Sequence, residues 1–318
     1  MKRLMIVVPC YNEQEVFENT LEALSNLLFD LIKKGKIAKN SGIMFVDDGS
    51  KDNTRNLITD AYKKYSHVYA VNLAGNVGHQ NALVAGLSAA ADLCDVTVTI
   101  DADLQDDVHA IEEMIDKFND GCDVVYGVRS NRKTDGFFKR TTANAFYKVM
   151  KWLGAKTVDN HADFRLLSTR AVKALLQYEE RNLFLRGIVT RLGYKTDCVY
   201  YSRQKRMAGK TKYPFRKMFS FAVEGITSFS VKPLKMIMAL GLFIIFCSLL
   251  AIVYVLVSFF VGHANAGWPS LMISIWFLGG VQLFSIGLVG EYIGKIYLET
   301  KKRPRFNIEE LLIHNEDE

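Results

Sequence analysis

The sequence predicts an α/β domain with a mostly parallel sheet, followed by an amphipathic interfacial helix and two transmembrane helices. Short segments rich in β-branched residues alternate with longer helical segments before residue 130, which is typical of a parallel sheet covered on both faces. A cluster of polar residues follows each predicted strand. Two long uncharged runs near the carboxyl terminus indicate the membrane part.

The α/β segment is predicted to contain five strands, each followed by a helix. Hydrophobic runs bounded by turn-forming residues place the strands at 3–9, 42–46, 68–73, 96–100 and 123–128. The helices are predicted at 13–34, from the acidic turn 47–54 to residue 65, at 80–91, 108–119 and 137–153. In such a sheet, ligands bind beyond the carboxyl ends of the strands.

The distinctive polar residues of the chain follow these strands. Random placement would put several of the clusters at the opposite edge of the sheet, so we expect an active site at the carboxyl edge. The five clusters are Pro9–Glu13, Asp47–Asp52, Asn76–His79, Asp101–Asp106 and Arg129–Arg132.

Two carboxylates follow the strand at 96–100. Asp101 and Asp103 are two positions apart, so at a strand end they point the same way. Oxygen ligands of this kind suit a hard divalent cation that carries phosphates, and an acidic loop without a ligand is the alternative. Gly-x-Gly-x-x-Gly after the first strand and the P-loop motif are both absent, so the metal, Arg129 and Arg132 are expected to hold the phosphates.

Residues 134–212 carry fewer signals. Asp163 and Arg165 alternate with apolar residues near a chain reversal, and they form either a buried salt bridge or part of the catalytic site. His161 is expected to be structural. The basic, glycine-containing stretch 203–212 precedes the membrane segments, so we expect a loop that meets anionic lipid or phosphate, although a solvated surface has the same composition.

Composition narrows the class of protein. The chain has 318 residues, 49% of them apolar, and a net charge of +6. Its first nine residues are too short an apolar run for a signal peptide. Five cysteines without paired spacing predict free thiols in a reducing compartment. No nucleic-acid motif with interleaved aromatic and basic residues is present, which argues against a nucleic-acid partner.

The membrane part is predicted from two uncharged runs, 236–262 and 268–290, joined by a short turn without Lys or Arg. Lys and Arg flank the pair on the outer sides, so both termini are expected in the cytoplasm. The chain divides into a cytoplasmic α/β domain (1–212), a juxtamembrane amphipathic helix (213–234), two transmembrane helices (235–292) and a cytoplasmic segment with an acidic tail (293–318).

Taken together, these motifs resemble family-2 glycosyltransferases over essentially the whole length. More narrowly, the chain is similar to the bacterial polyprenyl-phosphate glycosyltransferases related to dolichol-phosphate mannose synthase. The motifs that carry the resemblance are Val8–Glu13, Val46–Asp52, Asn76–Gly78, Asp101–Asp106, Ala162–Arg165 and Ala208–Pro214.

The resemblance implies a nucleotide-sugar-binding fold of the GT-A type, Mg²⁺ or Mn²⁺, and transfer with inversion at the anomeric carbon. The donor is expected to be a UDP-sugar, with glucose favoured and an N-acetylhexosamine next. The acceptor is expected to be undecaprenyl or another polyprenyl phosphate at the cytoplasmic face of a bacterial membrane. A homo-oligomer, and specifically a tetramer, is also implied.

The resemblance also implies roles for single residues. The nucleotide-sugar is expected to meet Pro9, Tyr11, Asn12, Glu13, Asp48, Asp101, Ala102 and Gln105. The metal is expected at Asp101, Asp103 and Gln105, and the acceptor phosphate at Arg129, Arg132, Arg206 and Lys210. Catalytic roles fall to Asp103, Arg129, Asp106 and Asp163, of which the last two would orient the acceptor or the sugar.

The sequence departs from the family at one loop, because His79-Gln80 follows Gly78 where many relatives carry Lys or Arg. A phosphate contact from this loop is therefore in question.

Two other functions stay open. A processive polysaccharide synthase would usually add membrane spans and a Gln-x-x-Arg-Trp motif, which the chain lacks. A membrane-bound scaffold that binds nucleotide-sugar without turnover would be expected to lose Asp101 or Asp103.

Overall fold

The structure is a computed structural model that describes residues 1–130, 161–180, 185–202 and 267–314, together with single helical positions between 234 and 253. The described strands are β1 (Leu4–Cys10), β2 (Gly42–Asp47), β3 (Val68–Leu73), β4 (Val96–Thr99), β5 (Val124–Arg129), β6 (His161–Ser168), β7 (Thr196–Tyr201) and β8 (Ile308–Leu312). The continuous helices are α1 (Phe17–Lys33), α2 (Thr54–Lys64), α3 (His79–Ala90), α4 (Ala110–Asn119), α5 (Thr169–Leu176), α6 (Leu185–Val189) and α7 (Trp268–Thr300).

The described strands form one mixed sheet in the order β7-β5-β6-β4-β1-β2-β3-β8. Strand β1 pairs in parallel with β2 and β4, β2 with β3, and β5 with β7. Strand β6 is antiparallel to both β4 and β5, and β8 is antiparallel to β3. The predicted mostly parallel α/β sheet is therefore confirmed, with two antiparallel strands that the sequence analysis missed.

The core explains why the central strands lack polar alternation. All seven residues of β1 are buried, as expected for a strand with helices on both faces of the sheet. Leu24, Leu28 and Leu31 of α1 are buried at helical spacing. On the other face, a Cβ added at Gly86 of α3 would come within 2.6 Å of side-chain atoms of Val7 and Val46. The small residues of α3 therefore let this helix approach the sheet closely.

The first five predicted strands are confirmed within about a residue at each end. Helix α1 begins at Phe17 instead of residue 13, because the backbone of residues 12–14 is hydrogen-bonded to the loop after β2. Four predictions lie outside the described residues, namely the helix at 137–153, the basic loop at 203–212, the amphipathic helix at 213–234 and most of the first transmembrane run.

Helix α7 spans 33 residues and extends ten residues past the uncharged run predicted to end at 290. Its segment Phe277–Thr300 is, within the described residues, the one helix long and apolar enough to cross a membrane, and none of its most apolar window is buried. Leu283, Phe284 and Ile286 illustrate this exposure. The described positions 243, 246, 250 and 253 of the first run are helical and also exposed.

The chain after α7 contributes a strand to the sheet. Strand β8 pairs with β3 and forms the edge of the described sheet, and the Asn72 side chain donates to Glu310 Oε2 at 2.9 Å. His314 stacks on the Tyr62 ring with centroids 4.3 Å apart. This region was predicted to be an acidic tail, because its acidic residues show no strand pattern.

Candidate active site

The predicted polar clusters follow strands that run in the same direction, so they lie at one edge of the sheet. The loop after β1 is connected to the loop after β2 by several hydrogen bonds. The Asn12 amide donates to Ser50 Oγ at 3.0 Å, and its side-chain oxygen accepts from the Lys51 amide at 2.8 Å. The Glu13 amide donates to Thr54 Oγ1 at 2.9 Å. Tyr11, with 40% of its surface exposed, stands on this double loop.

Asp48 connects the loop after β2 to the loop after β3. Its Oδ1 accepts from the Val77 amide at 2.7 Å and its Oδ2 from the Gly78 amide at 3.0 Å. Burial raises the pKa of Asp48, and the two amide hydrogen bonds oppose that rise. Gly49 has φ of +65°, and a Cβ there would lie 2.6 Å from the backbone of Gly75, so glycine is required for this approach.

The loop after β4 contains the predicted metal ligands. The Gln105 side-chain amide donates to Asp103 Oδ2 at 2.8 Å, and the Gln105 backbone amide donates to Oδ1 at 3.2 Å. Leu104 between them has φ of +49°, an uncommon conformation for leucine that brings the two partners together. The structure therefore places Asp103 and Gln105 side by side, as predicted.

His79 lies between two aspartates of the site. Its Nε2 is 3.5 Å from Asp101 Oδ1 and 3.7 Å from Asp163 Oδ2. Burial raises the pKa of Asp101 to about 6, His79 opposes this rise, and the carboxylates of Asp163, Asp106 and Asp103 add to it. The edge after β4 is thus a concentration of negative charge.

Asp163 is neutralised by two arginines. It forms an ion pair with Arg165, and Arg186 of α6 donates to its two oxygens through Nε at 3.3 Å and Nη2 at 3.1 Å. Burial opposes ionisation of Asp163, but Arg186 and Arg165 outweigh it and hold the pKa of this carboxyl well below its usual value. The buried salt bridge between Asp163 and Arg165, one of the two alternatives for these residues, is therefore present. His79 connects it to Asp101, since its Nε2 lies near a carboxylate oxygen of each aspartate.

Asp106 is paired at the other side of the same loop. Its Oδ1 accepts from Arg129 Nη2 at 2.9 Å, from Arg129 Nε at 3.1 Å and from the Tyr201 hydroxyl at 2.6 Å. Asp106 is buried, whereas 29% of the Arg129 side chain is exposed. A buried carboxylate therefore holds an arginine at the rim of the site.

The remaining predicted residues differ in what the structure says of them. Pro9 is buried within β1, in register with Val46. The Ala102 carbonyl accepts from the Thr20 hydroxyl at 2.6 Å, which connects the β4 loop to α1. Contacts of these residues with a nucleotide-sugar stay predictions. Arg132, Arg206 and Lys210 lie outside the described residues.

Two residues of the site, Arg186 and Tyr201, were missed in the sequence. His79 belonged to the predicted cluster Asn76–His79, but no individual role was predicted for it beyond its departure from the family. Arg186 and Tyr201 lie on α6 and β7, which have no periodic pattern strong enough to predict their place. The place of Tyr201 becomes visible only in the pairing of the folded strands, where Tyr201 is the direct partner of Arg129.

The donor set fits the predicted cation. In the described part of the chain, no three His, Cys, Asp or Glu side chains are grouped to bind a metal ion. The ligands predicted from the sequence are the carboxylates of Asp101 and Asp103 and the Gln105 amide. These are oxygen donors, which Mg²⁺ and Mn²⁺ prefer. The crowded carboxylates that raise the pKa of Asp101 are an environment that a divalent cation would neutralise.

Residues 5–176, more than half of the chain, match the family described as glycosyl transferase family 2. The chain belongs to this family. Residues 232–296 match a second family, described as the GtrB C-terminal hairpin. The family-2 membership agrees with the resemblance inferred from the motifs, and the hairpin match covers the region of the two predicted spans.

Similar family-2 proteins align over nearly the whole chain. An uncharacterized glycosyltransferase, YkoT of Bacillus subtilis, is 53% identical over 96% of this chain and 91% of its own length. A bactoprenol glucosyl transferase of Shigella phage SfX is 40% identical over 96% of this chain and 98% of its own length. A prophage bactoprenol glucosyl transferase homolog of Escherichia coli K12 is also 40% identical, with the same coverage.

Among solved structures, glucosyl-3-phosphoglycerate synthase of Mycobacterium tuberculosis, in complex with Mn²⁺, UDP-glucose and phosphoglyceric acid, has a TM-score of 0.44 at 15% identity. The alignment covers 71% of this chain and 78% of that one. At 15% identity, the ligands of that structure do not indicate which ligands bind here.

Proposed function

We propose that this protein transfers glucose from UDP-glucose to undecaprenyl phosphate, or a related polyprenyl phosphate, at a membrane surface. The observation that carries the proposal is the 40% identity to a bactoprenol glucosyl transferase over 98% of that protein's length. The alignment therefore includes both the sheet with its carboxylate-rich edge and the carboxyl-terminal hairpin. Each part has a role in the proposed reaction.

The donor end of the reaction needs a stable leaving group. We assign Asp101, Asp103 and the Gln105 amide to a bound Mg²⁺ or Mn²⁺, which when bound would stabilise the departing diphosphate as a Lewis acid. The loops that carry Tyr11, Asn12, Glu13 and Asp48 would hold the nucleoside. Asp48 retains acceptor capacity for this role, because each carboxylate oxygen has a second lone pair.

The acceptor end requires little base catalysis. A phosphate monoester has a second pKa of about 6, so the acceptor is largely anionic at neutral pH and can attack the anomeric carbon directly. Arg129, with Arg132, Arg206 and Lys210, would offset the repulsion between the acceptor and the diphosphate. Attack opposite to the leaving diphosphate inverts the anomeric carbon.

Asp106 and Asp163 would position groups in this reaction. Each is paired with arginine, and the depressed pKa of Asp163 makes its carboxylate a weak base. We therefore propose that both keep charged side chains in place around the sugar and the phosphate, and that neither takes up a proton from the acceptor.

The membrane hairpin would confine the enzyme to the surface that carries its lipid acceptor. We propose that the α/β domain and both termini face the cytoplasm, because the basic residues that follow α7's uncharged stretch lie on that side by the positive-inside rule. Exposed apolar side chains along α7 are available for packing against lipid or against other copies, in keeping with a homo-oligomer such as a tetramer.

A transfer assay tests this function. The full-length protein in detergent is mixed with undecaprenyl phosphate, Mn²⁺ and radiolabelled UDP-glucose or UDP-N-acetylglucosamine, with and without EDTA. We expect label in the organic phase from UDP-glucose only when metal is present. Label from the N-acetylhexosamine alone would correct the donor. Binding of UDP-glucose without transfer to any lipid would favour the scaffold function instead.

A further inference from the structure

Strands β5 and β7 end side by side, and their last residues share one buried acceptor. Arg129 and Tyr201 are direct partners in the parallel register of these strands. Residues paired in this way point to the same face of the sheet. Both donate to Oδ1 of Asp106, with the Tyr201 hydroxyl at 2.6 Å and the nearer guanidinium nitrogen at 2.9 Å.

This arrangement fixes the guanidinium plane. Arg129 uses its Nε–H and one Nη2–H on Asp106, and Nε also lies 3.4 Å from the Tyr201 hydroxyl oxygen. Three of the five N–H groups of Arg129 take no part in these contacts. Asp106 and Tyr201 are buried, whereas the Arg129 side chain is partly exposed. The geometry thus holds one edge of a charged, planar donor against a carboxylate, while part of the side chain stays accessible.

Tyr201 is suited to hold the carboxylate and not to exchange protons. Burial, and then the charge of Asp106, raise the pKa of Tyr201 well above its usual value, so its hydroxyl stays a neutral donor. The ring is fixed independently, because it packs edge-on against Phe164 with centroids 5.3 Å apart. Removing the hydroxyl alone would therefore leave the ring in place and take away one of the donors to Asp106.

We propose that Tyr201 is a positioning residue for the acceptor step, which holds Asp106 and through it sets the orientation of Arg129 toward the acceptor phosphate. This inference rests on the proposed function, in which Arg129 meets that phosphate. A bidentate hydrogen-bond donor binds a phosphate more weakly when its plane is turned away from the phosphate oxygens, because both hydrogen bonds need close placement of the groups.

The first test is Tyr201→Phe, with Tyr200→Phe as its matched control. Tyr200 is the preceding residue of β7, points to the opposite face and is 68% exposed. We expect Tyr201→Phe to lower kcat/KM for undecaprenyl phosphate about tenfold and to leave KM for UDP-glucose within about twofold. The thermal midpoint of the variant, measured in the same detergent, reports whether folding is intact, and Tyr200→Phe should match the wild type.

The second test asks whether Tyr201 acts through Arg129. In an Arg129→Lys background the fork that Asp106 orients is absent, so adding Tyr201→Phe should cause no further loss for the acceptor. A purely structural tyrosine would lower kcat/KM by the same factor in both backgrounds, and that result would overturn the inference. Unchanged acceptor kinetics in Tyr201→Phe, or a rise in KM for UDP-glucose as large as the loss in kcat/KM for the acceptor, would overturn it as well.

The wild-type control separates this inference from the proposed function. If the wild type labels undecaprenyl phosphate and Tyr201→Phe behaves like the wild type, only the role of Tyr201 is wrong. If the wild type binds UDP-glucose but labels no lipid, the proposed function fails, and the acceptor role of Tyr201 fails with it.

Discussion

Strands β2 and β4 flank β1, and each ends in a pair of aspartates, but the two pairs are used differently. After β2, the Asp48 carboxylate is buried and accepts backbone amides of the neighbouring loop on both oxygens. After β4, Asp101 keeps 40% of its side chain exposed and has other carboxylates as neighbours. Aspartates at the same edge of one sheet thus build the scaffold in one loop and concentrate charge in the other.

This difference in how the carboxylate charges are offset supports the proposed position of the cation. A carboxylate that accepts amide hydrogen bonds has its charge offset by the protein itself. The carboxylates after β4 are offset only in part, by His79 near Asp101 and by Arg129 at Asp106. A divalent cation with its diphosphate would complete the neutralisation, so substitutions in the two loops should differ in kind as well as in size.

The largest effect is expected for Asp103→Asn, which removes one anionic ligand at constant shape. Glucosyl transfer should fall roughly 10³-fold, because stabilisation of the leaving diphosphate depends on the bound cation. The thermal midpoint without metal should stay close to that of the wild type. Initial rates with labelled UDP-glucose measure the loss, and a variant that kept a tenth of the wild-type rate would break the proposed division between the loops.

Asp48→Ala should act mainly on stability. It leaves the partly buried amides of Val77 and Gly78 without their acceptor, which costs about 1–3 kcal/mol in the free energy of unfolding. Thermal unfolding in detergent should show a lower midpoint. The dependence of UDP binding on metal should persist in the folded fraction, even if a nucleoside contact by Asp48 lowers the affinity itself. Loss of the metal dependence would contradict the scaffold role.

Asp101→Asn should stabilise the metal-free protein at neutral pH. The pKa of Asp101 is raised to about 6 in the folded state, so its ionised form costs stability above that pH and the cost disappears below about pH 4. Because the side chain is 40% exposed, solvent screening reduces the gain to about 1 kcal/mol.

The pH dependence of unfolding checks the sign of this effect. In EDTA, the wild type should gain stability relative to Asp101→Asn as the pH falls from 7 to 5, and added Mg²⁺ should stabilise only the wild type. A variant that is less stable than the metal-free wild type at pH 7 would show that the charge at Asp101 is already compensated.

The smallest effect is expected for Asp107→Asn in the same loop. Its Oδ1 accepts from the His109 amide at 3.0 Å, and an asparagine carbonyl can accept the same hydrogen bond. Unfolding free energy should change by less than about 0.5 kcal/mol and transfer by less than about twofold. A fall in the transfer rate as large as that expected for Asp103→Asn would mean that transfer depends on the loop as a whole and not on particular carboxylates.

The parallel half of the fold could be predicted because its signal is local. Strands β1 to β5 are hydrophobic runs, and in the described part of the chain a helix follows each of β1 to β4. Strands β6, β7 and β8 could not be predicted in the same way. Strand β6 contains the charges of Asp163 and Arg165, and two of the five residues of β8 are acidic, so each forms a strand through pairing with distant neighbours.

The residues of the candidate site that follow a strand end could be predicted, and those that reach the site from β7 and α6 could not. Asp101, Asp103 and Arg129 were found because strand ends of one direction share an edge of the sheet. Tyr201 and Arg186 could not be found, because they reach the site from β7 and α6 through a register that the sequence does not display. Asp48 was predicted to contact the nucleoside, and its hydrogen bonds to the β3 loop could not be foreseen from an acidic turn alone.

The most direct test of this account is a calorimetric titration of the wild type and Asp103→Asn with UDP, in Mn²⁺ and in EDTA. We expect Mn²⁺ to strengthen binding to the wild type by about tenfold or more, equivalent to about 1.4 kcal/mol, and to change binding to the variant by less than about twofold. Equal strengthening by Mn²⁺ in both proteins, or none in the wild type, would contradict the assignment of the β4 carboxylates to the cation.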